Sequence, residues 1–135
     1  MIRNAFRANL YKNKELFYTR RQGQGSLYIS GSSIIKAFDV TQPDYKNEFN
    51  VLNQLKHPNI IPIHDSFYER DNFHTVMPYH HRGDLLRRIF EGPIPNTYDI
   101  LNITRKLMKP ISYVHRNGIV HLDIKLENYV EGDRY

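Results

Sequence analysis

The stretch His121-Leu122-Asp123-Ile124-Lys125-Leu126-Glu127-Asn128, HLDIKLEN, comes late in the chain, after Gly118-Ile119-Val120. Taken alone it reads as a polar turn. Whether it is more than that depends on the elements that precede it.

A chain of 135 residues is normally one domain with a real core. Its 40% hydrophobic and 13% aromatic content, with no low-complexity run, argues against disorder. No apolar stretch approaches the roughly 20 residues that cross a bilayer. The start, MIRNAFRANLYKNKELF, lacks the compact apolar segment of a secretion signal. A soluble, intracellular protein, cytoplasmic and without membrane contact, is expected. The absence of cysteine excludes disulfides and thiolate metal sites and fits a reducing compartment.

The net charge of +5 is concentrated at the front: residues 1–22 hold Arg3, Arg7, Lys12, Lys14, Arg20 and Arg21 against Glu15. Residues 23–135 balance thirteen basic against thirteen acidic side chains. Such an arm suits nucleic acid, an acidic partner or organelle targeting. Tyr11, Leu16, Phe17 and Tyr18 are packing types, so the expectation is a solvated basic leader over 1–15 running into a first strand, with no specific nucleic-acid partner.

Strands come first and helices later. LFYT, SLYIS and SIIKAFDV are rich in β-branched and aromatic residues, with Gly31-Ser32 placed for a tight hairpin turn. Thr41 and Asp44 frame Pro43 as a helix start. Tyr45, Phe49, Leu52 and Leu55 then mark an amphipathic helix ending near His57-Pro58. IIPIHDSFY and FHTVMPY, separated by ERDN, predict a second hairpin. From Asn96, the stripe Ile100, Ile103, Leu107, Ile111 and Val114 predicts a longer helix closed by Asn117-Gly118, with Pro110 expected to kink it at about 3 kcal/mol.

In this order and at these spacings the motifs resemble the first half of a eukaryotic-type protein kinase, from about Gly23 onward. The resemblance implies an α+β fold: an antiparallel N-lobe sheet with one αC-type helix over 16–79, and an incomplete, mostly helical C-lobe over 80–135. Lys36, in SIIK, corresponds to the strand lysine that neutralises nucleotide phosphates, and Glu48 to its partner on the following helix. Glu48 shares a helical face with Tyr45, Phe49 and Leu52, where a carboxylate needs a cation to meet it. His57-Pro58-Asn59-Ile60 stands at the usual helix-to-strand connection.

Gly23 and Gly25 resemble the opening of the phosphate-covering loop, though a simple turn is about as good a reading. Tyr28 takes the place of the third glycine, and Ile34 that of the small alanine before the lysine. Met77 is the expected gatekeeper, with Pro78, Tyr79 and His80 as the adenine-reading connection. Proline there removes only an N–H that the nucleotide does not use. Asp84, in RGDLL, is either the ribose-contacting acid or a helix cap. His80-His81 is read as a solvated connection, because adjacent side chains on an extended segment diverge.

In the family pattern HRDxKxxxN, Asp123 would take or orient the substrate hydroxyl proton, Lys125 would stabilise the transferred phosphoryl group, and Asn128 would bind Mg²⁺. Leu122 replaces the arginine that pairs with a phosphorylated activation loop. ATP and Mg²⁺ are the implied ligands. No DFG occurs in the 135 residues, so the main metal-holding aspartate has no counterpart. The expectation is a truncated serine/threonine kinase-like protein, a pseudokinase that binds another kinase, a regulator or a substrate. It would do so through a wet apolar patch at Ile103, Leu107, Ile111 and Val114. The alternative is a minimal or partner-completed ATP-dependent kinase.

Overall fold

The computed structural model describes residues 7–19, 25–120, 124–130 and 132. The chain divides into two compact units, 1–56 with 61–79 and 57–60 with 80–135.

The first unit is built on an antiparallel sheet of β1 (Glu15–Thr19), β2 (Ser26–Ser30), β3 (Ser33–Asp39), β4 (Asp65–Glu69) and β5 (Asn72–Pro78). The strand order is β1-β2-β3-β5-β4. Gly31 and Ser32 form the two-residue turn between β2 and β3, with Gly31 at φ +58°, a conformation glycine adopts without steric penalty. Arg70 and Asp71 turn β4 into β5, with Arg70 also at positive φ. IIPIHDSFY yields a strand only from Asp65. Pro62 offers no ladder donor, and the His64 N–H alone reaches the Val76 carbonyl at 2.8 Å.

Alternation along β3 gives the sheet two different faces. Ile35, opposite Val76, makes a buried core with Phe67 and Val76, against which Tyr28, Ala8 and Tyr11 pack. Ile34, Lys36 and Phe38 take the other face. There, α1 (Asn47–Gln54) and the turn before it bring Tyr45 and Phe49 edge-on to Phe73, with ring centroids 5.9 and 5.2 Å apart. The helix starts later than the Thr41–Asp44 frame suggests. The Asp39 carboxylate accepts from the Thr41 N–H and hydroxyl, so Thr41 completes a turn instead of capping α1.

In the second unit, α2 (Leu85–Glu91) and α3 (Thr97–Arg116) are followed by a 3₁₀ turn, Leu126–Asn128. α3 opens on a capping box. The Asn96 side chain accepts from the Asp99 N–H at 2.9 Å, and the Asp99 carboxylate accepts from the Asn96 N–H. It closes at Gly118, φ +74°, where Ile119 N–H reaches the Val114 carbonyl and Gly118 N–H that of His115. Pro110 lies inside α3. The helix runs on as one element and buries the ring, so packing offsets the missing donor. Ile103, Leu107, Ile111 and Val114 are half-buried, and the His57 ring lies against Tyr113 at 5.2 Å. The most exposed apolar side chains lie elsewhere, at Phe90, Ile94 and Tyr98.

Candidate functional site

Lys36 sits in a central strand, between Leu27 of β2 and Thr75 of β5. Its side chain is only 6% exposed, and its ammonium donates to Glu48 Oε2 from α1 while lying 5.1 Å from the centre of the Phe38 ring. A buried ammonium carries a large desolvation penalty unless a carboxylate meets it. Glu48 supplies that carboxylate from the more exposed side of the contact, at 42% exposure. The strand period and the helix period bring the two together across twelve residues of sequence.

Ile34, on the Lys36 face, pairs with Met77, and Ser33 with Pro78. Tyr79 N–H donates to the Ser32 carbonyl at 2.8 Å, tying the end of β5 back to the hairpin turn. His80 opens the second unit, where its carbonyl accepts from Gly83 N–H and its Nδ1 is buried without a partner.

Gly25 has φ +78°, and a Cβ there would stand 1.8 Å from the Ala37 carbonyl oxygen. Contact with β3 therefore requires this glycine whether or not an anion binds nearby. Gly23 and Asp123 lie outside the described residues.

Asp84 caps α2: its carboxylate accepts from the Arg87 N–H at 2.8 Å. Its backbone also pairs with Val130, and Leu85 N–H donates to the Tyr129 carbonyl at 2.8 Å. These bonds hold the end of the Lys125–Asn128 segment against α2. Asn128 N–H closes the 3₁₀ turn onto the Lys125 carbonyl, and both side chains are on the surface. Within the unit, Asp84 is thus a positioning residue for the strand end that follows Asn128. No cluster of three His, Asp or Glu side chains able to hold a metal occurs among the described residues, the His80-His81 segment included.

One feature of the first unit is not evident from motifs. Residues 7–14, expected as a solvated leader, dock on the face of the sheet opposite Lys36. Arg7 bonds both the Asp65 carboxylate and the Ser66 carbonyl at 3.1 Å, and Lys14 bonds Glu69 at 2.8 Å. Tyr11 stacks on Phe67 with centroids 5.6 Å apart, and Phe67 stacks in turn on buried His74 at 4.7 Å. Burial, together with the Lys14 charge, lowers the His74 pKa to about 4, so the ring is neutral at pH 7. The Lys14 hydrogen bond holds the Glu69 carboxyl below its usual range. The signals were present in the sequence. Tyr11 is a packing type, and His74 is two residues from Val76, on the core face of its strand.

Residues 31–131 match the protein kinase domain family. The chain belongs to the protein kinase family. It is 36% identical over 99 residues to myosin light chain kinase 3 of Rattus norvegicus, covering 72% of this chain and 13% of that protein. It is 41% identical over 83 residues to NUAK family SNF1-like kinase 2 of the same species, covering 62% of this chain and 13% of that one. The crystal structure of Rad53 1-466 in complex with AMP-PNP superposes with a TM-score of 0.71 at 22% identity, over 92% of this chain and 36% of that one. The α+β kinase fold is thereby shown, and this chain spans about an eighth of the length of these two kinase relatives. No helix among the described residues is long and apolar enough to cross a membrane.

Proposed function

We propose that these residues form the nucleotide-gripping part of a serine/threonine protein kinase, and that residues 1–135 alone hold ATP weakly and transfer its phosphate at no useful rate. The Lys36–Glu48 pair carries this reading. In the kinase mechanism such a pair must be in place before phosphates are positioned, and a lysine buried on the α1 face has little other use.

The residues present fit the phosphates better than they fit the metal. Lys36 supplies a fixed cation on the face it shares with Ile34 and Phe38 within the first unit. For Mg²⁺, which would neutralise charge between the phosphates, Asn128 is the one described position the family pattern names, and its amide carries no charge. Ile34, on the Lys36 face, adds bulk where the family has a small residue, whereas Tyr28 packs on the opposite face of the sheet. Phosphoryl transfer depends on positioning and on neutralising charge, and a metal carboxylate ligand serves both, so residues 1–135 by themselves are expected to do both poorly.

The second reading, a binding role, rests on Phe90, Ile94 and Tyr98, which are 80%, 95% and 75% exposed. Apolar surface of this kind suits a further kinase-type segment, in the same polypeptide or in a partner that completes the metal site. The test is phosphate transfer to a generic protein substrate by residues 1–135, with Lys36→Met and Asp123→Asn as controls. No transfer above the controls is expected. Turnover that both substitutions abolish would overturn the proposed impairment.

A further inference from the structure

The second half of α3 carries a feature that the nucleotide site does not use. From Arg105 to Arg116 the helix bears four basic residues and no acidic one. Arg105, Lys109 and Arg116 fall on one helical face and line a groove of about 500 Å³ that His57 and Tyr113 close on one side. His57 Nδ1 accepts from the Asn59 N–H at 3.0 Å, which places the ring proton of the neutral form on Nε2 as a further donor. Arg116 lies back along its own helix, its guanidinium donating to the Ser112 carbonyl and hydroxyl at 3.4 and 3.2 Å. Among the described residues no carboxylate pairs with Arg105 or Lys109.

We propose that this groove is a docking surface for a carboxylate-rich peptide segment of a partner protein. The groove offers hydrogen-bond donors and positive charge, and no carboxylate lines it, so an anionic occupant is complementary. The spacing of the cations selects the form of that anion. Arg116 folds back to the level of Ser112, seven residues from Arg105, so the cations are spread over roughly 10 Å along the helix axis. That length matches single charges spread over roughly three residues of extended chain. A phosphoryl group concentrates its charge at one point and would favour cations that converge. Met108, which also lines the groove and is 55% exposed, gives a peptide side chain an apolar contact. A nucleic-acid strand would instead look for a basic track continuing past the groove, and N-terminal to Arg105 the helix carries Asp99 and no further cation.

The test is fluorescence anisotropy of the full chain with a labelled hexaglutamate peptide. A hexaglutamine peptide, a single-phosphoserine peptide and a short oligothymidylate serve as comparisons. Hexaglutamate is expected to bind at least tenfold more tightly than each of the others, with affinity falling as salt rises. The double variant Arg105→Gln/Lys109→Gln should lose about tenfold, and Arg105→Lys/Lys109→Arg should retain binding. Each variant is checked for native circular dichroism, and the surface positions of both residues keep the fold independent of the change. Equal binding of hexaglutamine, tighter binding of the phosphopeptide or the oligothymidylate, or an unchanged affinity in the neutral variant would each overturn the proposal.

Discussion

Acid should weaken the first unit through one histidine. His74 is 3% exposed, stacked on Phe67, with Nε2 3.9 Å from Glu69 and Nδ1 unpartnered. Its pKa falls from an ordinary 6.5 to about 4, chiefly by burial and then by the Lys14 charge. Above pH 6.5 the ring is neutral in both folded and unfolded chains and pH has no leverage. Between 6.5 and 4 the unfolded chain takes up a proton that the folded chain refuses, so stability drops as pH falls and levels off below about 4. At 1.36 kcal/mol per unit the full loss is about 3 kcal/mol, of which about 2 kcal/mol is gone by pH 5. Against the 5–15 kcal/mol typical of a domain this is large. Glu69 adds a loss of the same sign at lower pH, as its carboxyl protonates and releases Lys14. Urea unfolding followed by tyrosine fluorescence suits a chain with ten tyrosines and no tryptophan. His74→Phe should flatten the wild-type fall in stability between pH 7 and pH 5. Parallel curves for the two proteins would refute the reasoning.

Three other perturbations bear on the structure. Gly25→Ala should destabilise by more than about 2 kcal/mol in urea unfolding, because a Cβ at φ +78° meets the Ala37 carbonyl at 1.8 Å. Tyr11→Ala should cost about 1 kcal/mol in the same assay, through loss of the stack on Phe67, whereas a solvated leader would give no change. Asp84→Ala should cost about 1 kcal/mol by uncapping α2 and leave ATP affinity unaltered; a fall in affinity at unchanged stability would favour the ribose-contacting reading instead.

The fold was legible wherever one periodicity ran without competition. The hairpin at Gly31-Ser32, the capping of α3 by Asn96 and its close at Gly118 follow from local chemistry that the residues announce. The Lys36–Glu48 pairing was legible through the kinase resemblance, which sets a strand lysine against a glutamate on the following helix. What pattern alone missed are contacts set by tertiary competition. Asp39 claims the Thr41 hydroxyl, so the first helix begins later than its composition suggests. Arg7 and Lys14 look like a solvated basic arm until Asp65 and Glu69 on β4 turn out to receive them. Asp84 fits two roles in sequence, and only the Arg87 N–H beside its carboxylate reveals the cap.

The most direct measurement of the central claim is calorimetric titration of residues 1–135 with ATP, with and without Mg²⁺, repeated on Lys36→Met. Weak binding that Lys36→Met abolishes, and that Mg²⁺ strengthens by less than about tenfold, a 1.4 kcal/mol difference, is the predicted result. Tight binding that requires Mg²⁺, or binding indifferent to the loss of Lys36, would contradict it.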